Sequence, residues 1–246
     1  MKRACIVTDN EYIYEEFQKL LCAKCIECEF EFYYSTINMK FLKKYRDQTK
    51  FRAIKLSEMN RDFFDQYDVF FSLHSKQLFP DKLVNEYRCI NIHPGLNPYN
   101  RGWYPQVFSI LNQKPIGVTI HEMDTELDHG PIIVQKEVKI YSYDTSYQVY
   151  QRILRMEIDM LKEYLEALIL GSYKTIPMEN DGNVNYKQDF EEICRLNLES
   201  KGTLKEHIDL LRATTFDGYK NAYFMDNNER IYVSITLEKS GGGGEQ

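Results

Sequence analysis

Two stretches of this chain place polar side chains where a purely structural strand would keep apolar ones. The first is Cys89-Ile90-Asn91-Ile92-His93-Pro94-Gly95-Leu96-Asn97-Pro98-Tyr99-Asn100-Arg101-Gly102. Asn91 and His93 stand two residues apart in an apolar run, so on a strand both project from one face. Pro94-Gly95 forces a turn and leaves the pair at the strand's carboxyl end, the rim where open α/β sheets bind ligands. The second stretch runs from Gly117 to Ile133, where the apolar Val118–Ile120 gives way to a loop carrying Glu122, Asp124, Glu126 and Asp128 before Gly130 opens a new strand. A loop acid beside a histidine can hold that histidine in a useful protonation state, the raw material of general acid–base chemistry.

Those residues need a scaffold, and the hydrophobic pattern supplies one. Short apolar runs at Arg3–Thr8, Cys28–Tyr34, Phe51–Leu56, Tyr67–Leu73, Arg88–His93, Ile116–Glu122 and Ile132–Ile140 read as strands. Glu11–Leu21, Pro80–Glu86 and Trp103–Leu111 read as helices between them. Strands alternating with helices give an α/β fold with a largely parallel sheet. A long helix follows over Ser146–Leu170, with Val149, Ile153, Met156, Met160, Tyr164 and Leu168 as its apolar stripe and Gly171 as its stop. Beyond it come a loop at Asn180–Asn185, a helix at Leu204–Arg212, and a β-hairpin of Ala222–Met225 and Arg230–Leu237 about Asp226-Asn227-Asn228. The Gly-rich Ser240–Gln246 reads as a disordered tail.

Composition excludes several classes. A formal net charge of −6 disfavours wrapping nucleic acid, which needs a Lys/Arg surface, but leaves room for a small anion held by a few cations and backbone amides. No apolar run reaches membrane-spanning length and no signal peptide is apparent, so a cytoplasmic location is expected. Cys22, Cys25 and Cys28 have C-x-x-C-x-x-C spacing, yet no fourth ligand follows at suitable spacing; the cysteines are read as reduced and structural.

The two polar stretches together resemble the tetrahydrofolate-dependent formyltransferase family, whose hallmark is Asn-x-His-Pro-(Ser/Gly)-Leu followed by Asp-x-Gly-x-Ile-Ile. The resemblance covers roughly Tyr67 to Leu168. It implies a Rossmann-like sheet with 10-formyltetrahydrofolate bound at the strand ends, Asn91, His93 and Asp128 as the catalytic residues, and no metal. Asn91 would donate to the oxyanion that forms when an amine attacks the formyl carbon. His93 would accept the ammonium proton or, if charged, stabilise the oxyanion. Asp128 would orient His93. The pterin would be cradled by the backbone around Cys89, Met123, Asp124 and Leu127.

The runs Leu73–Pro80, Tyr99–Ile110 and Arg212–Phe224 resemble the branch acting on dTDP-linked amino sugars. That likeness places Lys76, His74 and Arg101 beside the acceptor, Lys76 and Arg101 as pyrophosphate contacts, with Trp103 or Tyr219 packing near the nucleotide. A guanidinium or ammonium offsets phosphate charge, and an aromatic face stacks on a pyrimidine. Thr8-Asp9-Asn10-Glu11 lacks a Gly-rich phosphate loop. The segment after Gly171 is short and not basic, which disfavours a tRNA acceptor.

The resulting expectation is an α/β, Rossmann-like catalytic domain over residues 1–173 and a small helix-and-hairpin unit over 174–239 that pairs two copies. The enzyme would formylate a dTDP-4-amino-4,6-dideoxy or 3-amino-3,6-dideoxy hexose for bacterial surface polysaccharide such as O-antigen. The rivals are a formate-releasing hydrolase of the same folate, an acceptor such as a UDP-linked amino-arabinose, and a catalytically silent sugar-nucleotide binding module.

Overall fold

The computed structural model describes residues 1–240 except 25, 179 and 181. Most of the tail expected over Ser240–Gln246, and the middle of the three spaced cysteines, lie outside the described residues. The elements are β1 (Lys2–Thr8), α1 (Glu11–Ala23), β2 (Cys28–Ser35), α2 (Met39–Lys44), β3 (Phe51–Ile54), α3 (Arg61–Phe64), β4 (Val69–Leu73), α4 (Asp81–Glu86), β5 (Cys89–His93), β6 (Arg101–Gly102), α5 (Pro105–Asn112), β7 (Ile116–Glu122), β8 (Ile132–Val138), α6 (Ser146–Leu170), β9 (Val184–Asn185), α7 (Lys187–Cys194), α8 (Leu204–Thr214), β10 (Tyr223–Asp226) and β11 (Glu229–Tyr232).

Seven strands form one sheet in the order β3-β2-β1-β4-β5-β7-β8. β1 to β5 are parallel; β7 pairs antiparallel with β5 and with β8. The α/β, mostly parallel expectation holds. The order reverses between β1 and β4, which opens a crevice at their carboxyl ends. Successive residues of β1 divide between the two faces. Ala4 and Ile6 join the larger core under α1, α5 and α6. Cys5 and Val7 join a second core with Leu56, Phe64, Phe70 and Leu83.

The abundant aromatics mostly fill these cores. Tyr14 stacks on Phe51 at 4.0 Å, and Phe51 meets Tyr34, Phe41 and Tyr45 edge-on. α6 spans the range its stripe predicts. Thr145 and Gln148 close a capping box at its start, and Gly171, at φ 72, ends it in a left-handed turn. No helix among the described residues is long and apolar enough to cross a membrane.

Three local expectations change. Trp103 lies outside the helix that follows it: α5 starts at Pro105, whose ring presets a helical φ, and Tyr104 before it is left-handed at φ 53. The loop at Asn180–Asn185 contributes a short parallel strand, β9, beside β6. The α7 helix was not apparent from its mixed sequence. The hairpin forms, with Asn227 and Asn228 both at positive φ, the conformation a two-residue turn between twisted strands requires, but its second strand ends at Tyr232 rather than Leu237.

Leu161 on α6 is fully buried, whereas Leu170 at the end of α6 is exposed. Leu161→Ala is expected to cost about 2–5 kcal/mol and Leu170→Ala less than about 0.5 kcal/mol, measured by urea denaturation. Equal losses would contradict the placement of the core.

Candidate active site

β5 delivers Asn91 and His93 to the same face, both buried. The turn after it is fastened to the neighbouring strands. Thr119 on β7 donates its hydroxyl to the Gly95 carbonyl at 2.8 Å and accepts the Asn97 N–H at 3.0 Å. Gln135 on β8 donates to the Asn97 carbonyl at 2.7 Å. A cis peptide joins Asn97 to Pro98.

Because β7 runs against β5, its end lies beside the start of β5, where Met123 N–H donates to the Cys89 carbonyl at 2.8 Å. The following loop must turn back to bring Asp128 to Asn91 and His93. Several groups hold it there. Asn97 Nδ2 donates to the Asp128 carbonyl at 2.8 Å, and Arg101 Nη1 to the Leu127 carbonyl at 3.2 Å. Gly102 N–H donates to Asp128 Oδ2 at 2.9 Å. Asp128 adopts φ 46, a left-handed backbone that Asp tolerates better than most residues. Gly130, at φ 102, must be glycine: a Cβ there would lie 2.2 Å from the Glu122 carbonyl oxygen.

The three expected residues therefore meet. Asn91 Nδ2 donates to Asp128 Oδ1 at 2.9 Å, and His93 Nδ1 faces Asp128 Oδ2 at 3.4 Å. His93 Nε2 is buried with no hydrogen-bond partner among the described residues. Gly95 leaves the ring its space, since a Cβ at that position would sit 2.2 Å from His93 Nε2. Burial lowers the His93 pKa below the ordinary imidazole value, and Asp128 opposes that shift. The ring is thus held neutral with Nδ1 toward the carboxylate, which leaves Nε2 a free acceptor: the form a general base needs.

His121 also takes part. It faces Asn91 directly across the β5–β7 ladder. Its Nδ1 donates to the Glu122 carbonyl at 2.8 Å, so the neutral ring offers Nε2 to Asn91 Nδ2 at 3.3 Å. Burial lowers the His121 pKa as well. The Asn91 amide nitrogen is thus shared between Asp128 and His121. Donation to an oxyanion would draw on the longer bond to His121, and Oδ1 is left to accept an amine N–H.

The other candidates divide by position. Cys89 is buried at the base of the site, and Leu127 adjoins Asp128. Asp124 accepts Glu126 N–H at 2.9 Å and meets His129 Nδ1 at 2.5 Å, bracing the loop that follows Met123. Arg101 is buried, with its guanidinium on Leu127 beneath the trio and its Nε without a partner among the described residues. Lys76 and His74 stand after β4, at the crevice, and Lys76 makes no ion pair among the described residues. Trp103 and Tyr219 are exposed rings. Tyr219 packs edge-on against Phe216 at 5.6 Å and Trp103 leans on Tyr104 at 5.6 Å.

Two outcomes test this geometry. Gly95→Ala should displace the His93 ring and lower kcat/KM on the order of 100-fold with an unchanged circular dichroism spectrum; full activity would show that the ring is not confined as described. In an NMR titration His93 should protonate below the ordinary value of about 6.5. Asp128→Asn, which removes the carboxylate that raises it, should move that titration lower still; an upward shift would overturn the assigned pairing.

Comparison with known proteins bears on the family. The profile described as formyl transferase matches residues 55–165, and that described as N-formyltransferase dimerization C-terminal domain matches residues 189–239. A dTDP-4-amino-4,6-dideoxyglucose formyltransferase of Mycobacterium tuberculosis is 45% identical over 184 residues, covering 74% of this chain and 79% of that protein. The crystal structure of a 4-N formyltransferase from Francisella tularensis has a TM-score of 0.92 at 40% identity, covering 97% of this chain and 99% of that one. A sugar N-formyltransferase from a Shewanella species has a TM-score of 0.93 at 40% identity, covering 98% and 99%. An asparagine, a histidine and an aspartate gathered at the end of β5, in a chain with these relatives, leave one assignment: it belongs to the formyl transferase family, in the sugar N-formyltransferase branch.

Proposed function

We propose that this enzyme moves the formyl group of 10-formyltetrahydrofolate to the amine of a dTDP-linked 4-amino-4,6-dideoxyglucose. The observation that carries the reading is the buried His93 Nε2, without a partner among the described residues, in a site where Asp128 and Asn91 are already joined. A base with an open acceptor beside an amide suits the attack of an amine on an acyl carbon. The 4-amino position follows that of the mycobacterial relative, a dTDP-4-amino-4,6-dideoxyglucose formyltransferase.

The folate supplies the activated formyl group. The backbone around Cys89, Met123, Asp124 and Leu127 would hold its pterin, next to the trio. His93 Nε2 accepts a proton from the attacking amine, and the nearby Asp128 carboxylate stabilises the imidazolium that results. Asn91 Oδ1 orients the amine while its Nδ2–H turns from His121 toward the charge growing on the formyl oxygen. A preorganised donor of this kind is worth about 3–4 kcal/mol. As His93 releases its proton to the departing folate nitrogen, the site returns to its starting state.

Lys76 is the candidate cation for the pyrophosphate, and Trp103 and Tyr219 are the candidate aromatic faces for the base. In this reading residues 1–173 form the catalytic domain, and residues 174–239 form the unit that pairs two copies through the hairpin. The exposed Met225, Ile231 and Tyr232 give that hairpin apolar surface to bury in a dimer. The enzyme works in the cytoplasm, and its formamido sugar is destined for surface polysaccharide such as O-antigen.

The test is a set of nucleotide-linked amino sugars incubated with enzyme and folate donor and read by mass spectrometry. dTDP-4-amino-4,6-dideoxyglucose should gain one formyl group, ahead of the 3-amino isomer and UDP-linked amino-arabinose. No gain on any sugar would end the acceptor assignment, and equally fast formate release without acceptor would make the enzyme a hydrolase.

A further inference from the structure

The catalytic trio leaves a second set of buried polar groups unexplained. Glu157 sits in the apolar face of α6, between Ile153 and Leu161 at helical spacing, and has no exposed surface. Both of its carboxylate oxygens reach His74 Nε2, at 3.0 and 2.8 Å. A carboxylate withdrawn from water is costly to keep, and an apolar residue of similar size would fill the same space. Burial pushes the Glu157 pKa up and His74 pulls it back, so each member of the pair depends on the other.

His74 occupies the turn that ends β4, in a left-handed conformation at φ 56 that a non-glycine residue keeps only when its surroundings enforce it. Its Nδ1 meets the Tyr150 hydroxyl at 3.3 Å, and that hydroxyl accepts from Asn10 Nδ2 at 2.9 Å. The chain of contacts therefore crosses from β4 to β1, over the place where the strand order reverses. Two residues on, Lys76 N–H donates to the buried Asp9 carboxylate at 2.7 Å. His74-Ser75-Lys76 is fixed at both ends by buried acids, Glu157 and Asp9. Phe216 packs against Tyr150 at 5.6 Å and carries Tyr219 to the same end of the crevice.

We infer that Glu157 is a positioning residue for the acceptor's diphosphate: it locks His74 in the turn after β4, and the locked turn presents the Lys76 ammonium to that anion. The inference rests on the sugar-nucleotide reading of the crevice. It assigns work to an acid that touches neither substrate.

The test is calorimetric titration with dTDP alone, with steady-state kinetics in which each substrate is varied in turn. Glu157→Gln keeps the size of the side chain and a hydrogen bond to His74 but removes the charge. It should weaken dTDP binding at least tenfold and raise KM for the sugar nucleotide comparably. KM for the formyl folate and the melting temperature should stay near those of the unmodified enzyme. Unchanged dTDP affinity would overturn the inference, as would a loss shared by both substrates and the melting temperature, which would mark a purely structural role. Should Glu157→Gln fail to fold, Glu157→Met, which fills the same apolar space without the charge, carries the same test with the same outcomes. If the unmodified enzyme does not bind dTDP, the nucleotide reading falls and takes the inference with it. Tight binding by the unmodified enzyme and by Glu157→Gln alike removes the inference alone.

Discussion

The site depends on what the Asp128 carboxylate accepts. Asn91 Nδ2 and Gly102 N–H both donate to it, and His93 Nδ1 stands beside it. These donors come from β5 and from β6, so one side chain closes a loop onto two separate elements. Each charge-assisted hydrogen bond contributes on the order of 1.5–3 kcal/mol, enough to offset the roughly 1–3 kcal/mol that a left-handed residue costs. Without that carboxylate the loop would keep only the Asn97 and Arg101 contacts to its backbone, and Asn91 and His93 would lose their charged partner. The same contacts decide the chemistry. A carboxylate on the Nδ1 side fixes the tautomer, and the free nitrogen can only point where Gly95 leaves room.

Sheet topology explains why such a trio can be rigid and still open. An antiparallel β7 beside β5 places His121 directly opposite Asn91, so a ladder position does the orienting. The Thr119 and Gln135 side chains bind the Pro94–Asn97 turn from below. On the other side of β4 the reversal of strand order leaves an uncovered crevice, and the groups there are fixed by another pair of buried acids. In the proposed assignment the donor side and the acceptor side are built from different strand ends and tied to different carboxylates, and His74 on one side lowers the pKa of His93 on the other.

How much of this the sequence made legible depended on the range of each interaction. Local pattern was enough for the strands, for α6 with its capped ends, and for the Asn-Asn hairpin turn, because those follow from side-chain period and turn chemistry. The polar pair on β5 was visible because it interrupts an apolar run. Trp103 was misplaced onto a helix because Pro105 and the left-handed Tyr104 override the propensity of the residues around them. The β6–β9 pair joins residues more than eighty positions apart and has no local signature. Glu157 carries a local signal of its own: an acid four residues from Ile153 and four from Leu161, at a core position of an otherwise apolar stripe.

That position bears on why a folded enzyme keeps costly groups. Asn91, His93, His121 and Glu157 are all buried polar residues, and each occupies a place where an apolar side chain would pack at less expense. They are tolerated because nearly every hydrogen-bonding atom has found a partner, so the desolvation cost is largely offset. The exceptions are informative. Five buried atoms lack a partner among the described residues, and three of them, His93 Nε2, Asn97 Oδ1 and Arg101 Nε, belong to residues that surround Asp128 and Leu127. A buried atom without a partner raises the free energy of the empty site and not that of the complex in which the partner arrives. In the proposed reaction the partner arriving at His93 is the proton of the attacking amine. On that reading the fold holds an unsatisfied atom where satisfaction coincides with the chemical step.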